Sequence, residues 1–185
     1  MRPHVLGIDD GPFEKFAPEA FAPLCGVMME GADLVEAVAL TRFPVDGEAA
    51  TAFLANWIES LRFRPALHAV FFGGITLAGL ALLEPEALAL RLGIPVLVLN
   101  RKPPRDEGLR DALRAAGLVD RIALLERAPV AFAHGDLHLS VSGASREEAL
   151  ALLACTRRKA ALPEPLRIAH LVARAVATGE SRGRA

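Results

Sequence analysis

The chain has 185 residues, enough for one sizeable hydrophobic core over 1–185 and too few for two large lobes. Hydrophobic residues make up 52% of it, yet the longest uncharged apolar run, 69–83, is broken by Gly73, Gly74 and Gly79 and falls short of the ~20 residues that a membrane-spanning helix needs. A formal net charge of −1 excludes a surface that is cationic throughout, so any nucleic-acid contact has to come from local clusters of basic residues.

The opening MRPHVLGIDDG closes a short apolar segment with two aspartates, which does not make the apolar stretch of a secretory leader, and a cytoplasmic location without a membrane partner is expected. Cys25 and Cys155 stand far apart, each in an apolar stretch, and are expected as core thiols rather than as a disulfide or zinc site.

Taken in chain order, a strand is predicted over 4–9, followed by a loop in which Gly11, Pro12 and Pro18 reset the chain direction. Strands over 24–29 and 34–43 around Gly31, Ala32 and Asp33 read as a hairpin. Asp46 stands where an N-cap belongs, before a helix whose apolar Ala50, Phe53, Leu54, Trp57, Ile58 and Leu61 recur at helical spacing. Residues 68–72 read as a buried strand. A helix over 84–92 has Pro85 in its first turn and Gly93 at its end, and 95–99 reads as another buried strand. A helix over 106–116 stops at Gly117. A second hairpin is predicted from 130–133 and 137–142 around Gly135 and Asp136. Ser145 with Glu148 three residues on is a capping box that opens a helix toward Cys155, and Pro165 starts a last helix ending near Gly179. The alternation of strands and helices predicts an α/β fold.

Three stretches can carry chemistry. In Gly7-Ile8-Asp9-Asp10-Gly11 an apolar strand ends in carboxylates as the chain leaves the sheet, where sites form in open α/β folds and where Mg²⁺ finds oxygen ligands. Adjacent strand residues face opposite sides, so Asp9 is the favoured ligand and Asp10 its neighbour or a loop anchor; a solvated strand end with an Asp10-Gly11 turn is the plain alternative. Asp46 reads first as a helix cap and second as a carboxylate within reach of a metal. The run Phe71-Phe72-Gly73-Gly74-Ile75-Thr76-Leu77-Ala78-Gly79 opens a buried strand into a glycine-rich loop, which by itself decides nothing.

The segments VLGIDDGPF, GGITLAG after a buried strand, PVLVLNRKPP and PEPLRIAHLVARA, with a final SRGRA, occur in that order across nearly the whole chain. Together they resemble the endonuclease dU family, which is similar in fold to endonuclease V. The resemblance implies a ribonuclease-H-like mixed sheet of five strands in the order 3-2-1-4-5, flanked by helices, with the additional C-terminal hairpin and helices outside that core. It also implies a Mg²⁺- or Mn²⁺-dependent endonuclease acting on DNA, damaged or single-stranded, with deaminated bases such as uracil as its substrates. Carried over by position, Asp9 matches the family's first-strand carboxylate and Asp46 its aspartate after the third strand; these are the expected catalytic pair, with Asp10 as a further metal ligand. The family usually has an aspartate before the glycine of the central loop, and this chain has Gly73. Metal-assisted hydrolysis needs carboxylates to fix the ion, so this departure weakens the site unless Asp10, Glu14 or water takes the place.

Basic residues complete the expectation. Arg101 and Lys102 follow a parallel strand and belong at the same rim as Asp9, where they can contact phosphate. Arg157, Arg158 and Lys159 form a local cluster, and Arg167, His170 and Arg174 lie on one face of the last helix at i, i+3 and i+7. A solvated face paired with carboxylates explains such a stripe equally well. His170 is a possible general base or an ordinary helix histidine. His134-Gly135-Asp136-Leu137-His138 would suit Zn²⁺ on one continuous strand, but Gly135-Asp136 reads as a turn that breaks it. Besides the nuclease, a relative that binds nucleic acid without cutting it fits Gly73; an actin-like kinase needs two lobes and does not fit the length.

Overall fold

The computed structural model describes residues 2–182 apart from 16, 18 and 105; the loop position Pro18 and the last three residues of SRGRA lie outside the described residues. Strand β1 (His4–Asp10) sits inside the sheet, paired on both edges, because it is apolar on both faces, with Val5, Leu6 and Ile8 fully buried. It pairs antiparallel with β2 (Phe21–Glu30), which pairs antiparallel with β3 (Leu34–Pro44). On its other edge β1 runs parallel to β4 (Ala69–Phe72). A two-stranded ribbon that the sequence pattern did not predict, β5 (Thr76–Leu77) with β6 (Ala81–Leu82), folds the glycine-rich loop back on itself. Strand β7 (Val96–Asn100) lies parallel to β4.

The predicted C-terminal hairpin, β8 (Phe132–His134) and β9 (Leu137–Ser142), joins this same sheet, with β9 antiparallel to β7. The full order is β3-β2-β1-β4-β7-β9-β8, so the five-stranded core is extended to seven. The parallel strands β1, β4 and β7 all end at one rim of the sheet.

Helices α1 (Ala50–Ser60) and α2 (Pro85–Leu92) cover one face, burying Leu54, Ile58 and Leu88 against Leu6, Ile8, Val70 and Phe72. Each such side chain, fully withdrawn from water, contributes ~1.5–3 kcal/mol. Beside them, α3 (Asp106–Ala115) and a short α4 (Ile122–Glu126) pack through Leu113 and Leu125 against Leu82. The other face is covered by α5 (Arg146–Thr156), which opens on the Ser145–Glu148 capping box, and by α6 (Glu164–Thr178).

The placement of α6 depends on two glycines in and just after β1. A methyl group added at Gly7 would overlap the backbone of Pro165 and Leu166, and one added at Gly11 would overlap the carbonyl of Ala173. Strand and helix therefore touch backbone to backbone and run in the same direction, which carries the middle of α6 over the end of β1.

Two local expectations are corrected. Asp46 does not cap α1: the N-cap position is Ala49, no side chain caps the helix, and Asp46 instead holds the loop between β5 and β6. Cys25 is buried as expected, but Cys155 is exposed, because α5 turns that position outward.

Candidate active site

Asp9 and Asp10 end β1 and, as neighbours on a strand, turn to opposite faces. Asp9 turns toward α6, where His170 Nδ1 lies 2.7 Å from Asp9 Oδ2. In the neutral ring, Nδ1–H donates to the carboxylate and Nε2 is left as the acceptor. This hydrogen bond is the main cause that raises the His170 pKa above its ordinary 6.5, against an opposing effect of burial. The second oxygen of Asp9 accepts the N–H of Asp10 at 3.0 Å. Asp10 turns toward the ribbon loop, and its Oδ2 accepts the N–H of Ala78 at 2.7 Å. Burial, followed by the charge of Asp9, raises the Asp10 pKa above 3.8, while the N–H of Ala78 opposes the rise.

A cleft of about 620 Å³ opens on this pair. Asp9, Asp10 and Gly73 form its floor, and Arg101 and Lys102 enter from the end of β7. Arg167 and His170 enter from α6, and Arg167 is held in place by two hydrogen bonds to Glu164 at 2.6 and 2.9 Å. A second cleft of about 760 Å³ shares Asp9, Asp10, Gly73 and Asn100 with the first and continues toward Leu125 and Ser140.

The structure thus gathers Asp9, Asp10, Arg101, Lys102, Arg167 and His170. Arg174 is exposed one turn beyond His170, close enough that its charge opposes protonation of the ring. Arg157 lies elsewhere, paired with Asp136 at 2.9 Å. Asp46 lines neither cleft; its Oδ1 accepts the N–H of Leu80 at 2.6 Å, and its own N–H donates to Ala78 O at 2.9 Å. Glu14 also lines neither. Gly73 lies beside Asp9: a Cβ there would be 3.7 Å from Asp9 Oδ1. His134 and His138 fall on adjacent rungs of the β8–β9 ladder, opposite Leu137 and Ala133, so they do not converge on a metal.

Two residues escaped the sequence reading. Asn100 ends β7 and lines both clefts; its signal was an amide closing an apolar strand. Arg121 is buried and donates to Leu80 O at 2.8 Å and Asp46 O at 2.7 Å, tying together the loops that flank Asp10. It sits in an ordinary amphipathic stretch and had no local signal.

Among the described residues no three His, Cys, Asp or Glu side chains converge as a metal site. The donor set still fits one hard cation, because Mg²⁺ is commonly held by one or two carboxylates with water and substrate phosphate completing the shell. Cys25, opposite Asp9 on β2, is buried, and burial, then the Asp9 charge, push its thiol up to about 12.

The mixed sheet with helices on both faces has the ribonuclease-H-like fold. Solved endonuclease V structures share this fold: the catalytic domain of human endonuclease V superimposes with a TM-score of 0.55 at 18% identity, over 91% of this chain and 79% of that one. Endonuclease V of Ciona intestinalis, in complex with DNA containing an inosine followed by a ribo-adenosine, gives 0.56 at 12% identity, over 91% and 83%. Residues 2–177 match the endonuclease dU family, and the chain belongs to it. Relatives include a UPF0215 protein of Thermococcus gammatolerans, 37% identical over 96% of this chain and 93% of its own length. A crystal structure of a protein of unknown function from Archaeoglobus fulgidus superimposes with a TM-score of 0.86 at 31% identity, over 95% of this chain and 98% of that one. Among the described residues no helix is long and apolar enough to cross a membrane.

Proposed function

We propose that the protein is a divalent-metal-dependent endonuclease that cuts DNA beside a deaminated base, uracil being the first to test. The observation that carries this reading is the cleft itself: two carboxylates at the end of the central strand, faced by Arg101, Lys102 and Arg167. The family and the endonuclease V fold support it, and the DNA in the Ciona complex points to the same class of partner.

Asp9 would hold the ion, and Asp10, turned to the other face, would hold the ribbon loop beside it through the Ala78 N–H. When bound, Mg²⁺ or Mn²⁺ supplies a water of lowered pKa and offsets charge on the phosphate. Arg101, Lys102 and Arg167 bind the phosphodiester and neutralise its charge. His170 fixes the orientation of Asp9 and keeps a proton-carrying ring in the cleft.

End-labelled uracil-containing DNA, incubated with Mg²⁺ or Mn²⁺ beside a metal-free control, tests the reading; metal-dependent cutting at the uracil is expected, and intact DNA bound without cutting contradicts it. That second result is what a non-cutting, DNA-binding relative would give, and Gly73 beside Asp9, where the family resemblance implies a carboxylate, favours it.

A further inference from the structure

A third depression, of about 890 Å³, lies along the start of α6, away from the paired aspartates. It is lined by Arg2, Arg157, Arg158, Lys159 and Arg167, with Asp33 and Glu164 as its carboxylates. Arg167 lines both this groove and the cleft of Asp9, and the segment 157–163 runs from the one to the other, contributing Lys159 to the groove and Leu162 to the cleft. The two depressions therefore share Arg167 as a common wall.

Within the groove the carboxylates are already engaged. Asp33 pairs with Arg2 at 3.0 Å and with Arg158 at 3.3 Å, Glu164 is taken by Arg167, and Asp136 on the β8–β9 turn takes Arg157 at 2.9 Å. With Asp136, which lies outside the groove's lining, five cations thus meet three carboxylates, in a chain whose net charge is −1. Lys159 is exposed, and it pairs with none of these three carboxylates. A cationic furrow that continues a carboxylate-floored cleft has the form of a track for a polyanion whose charges repeat along its length.

We propose that this groove carries the DNA backbone on one side of the base bound at the Asp9 cleft, so that the strand crosses Arg167 as it leaves the cleft and passes over Arg158 and Lys159. The proposal rests on the DNA-directed reading above and adds a direction to it. A contact of this kind reads phosphate and not sequence, and each phosphate neutralised adds ~0.7–0.9 to the salt slope of binding.

The test is fluorescence anisotropy of labelled uracil-containing DNA in EDTA, where binding is read without cutting, across a salt series. Two probes are used, one extended only 5′ of the uracil and one only 3′. Wild type is compared with the surface variant Arg158→Gln/Lys159→Gln, with Lys159→Gln alone, and with the rim variant Arg101→Gln/Lys102→Gln. The expected result is that the double groove variant lowers the salt slope by ~1.4–1.8 and the single variant by about half as much, for one probe and not the other. Equal loss on both probes, or no loss on either while the rim variant is impaired, overturns the groove and leaves the nuclease reading standing. Wild type without salt-dependent affinity for either probe overturns both. Unchanged circular dichroism and melting of the variants confirm that charge, and not folding, was altered.

Discussion

The two aspartates that end β1 are neighbours in sequence and live in different surroundings. Asp9 faces a helix and meets an imidazole that can carry positive charge; Asp10 faces a loop and meets a backbone N–H. On the helix side everything depends on close approach, because Gly7 and Gly11 let α6 lie directly on the strand. On the loop side everything depends on hydrogen bonds, with Asp10, Asp46 and Arg121 each holding the backbone between Ala78 and Leu80 or the turn beside it. The same residue type thus meets a titratable ring on one face and a backbone tether on the other, and its environment decides which.

The largest expected effect is on the helix side. Gly7→Val places a branched side chain into the backbone of Pro165 and Leu166, an overlap that no rotamer relieves, and is expected to destabilise the fold by more than ~3 kcal/mol in urea denaturation. A shift smaller than ~1 kcal/mol would mean that α6 does not pack on β1 as described.

Removing the buried guanidinium of Arg121 leaves the carbonyls of Leu80 and Asp46 without their donors, and Arg121→Met is expected to cost ~2–3 kcal/mol. Asp46→Asn sharpens the contrast, since an amide oxygen still accepts the Leu80 N–H: stability should fall by less than ~1 kcal/mol and cleavage should persist. If Asp46→Asn folds normally and loses cleavage, Asp46 is a ligand and not a tether.

The smallest effect is electrostatic. In metal-free protein the His170 ring, followed by proton NMR, should titrate above 6.5, and Asp9→Asn should return it toward that value. Because the folded pKa is raised, the pair contributes stability that is fully present below about 6.5 and is lost as pH rises through the folded value. The ring is half exposed, so the expected change in stability is well under ~1 kcal/mol.

The legible parts of the molecule were those whose cause is local. An apolar strand closing in Asp9-Asp10 announces itself, Ser145 and Glu148 cap their own helix, and Arg101-Lys102 follow a buried strand that could only end at the rim. Asp46 was misread because capping is a local pattern, whereas its role is set by Leu80, 34 residues away. The pairing of His170 with Asp9 spans 161 residues; the sequence showed only that His170 shares a helix face with Arg167 and Arg174, not what that face would meet. The extension of the sheet by β9 is a long-range pairing that no turn signal specifies.

In the proposed reaction, Asp9 is the carboxylate on which cleavage depends. Single-turnover cleavage of uracil-containing DNA in Mg²⁺ or Mn²⁺, with Asp9→Asn beside wild type and the fold of both checked by melting, tests it directly. Wild type is expected to cut, and Asp9→Asn to lose at least ~10³-fold in rate while still binding DNA. Cutting by Asp9→Asn at the wild-type rate would contradict it and move the chemistry away from the end of β1.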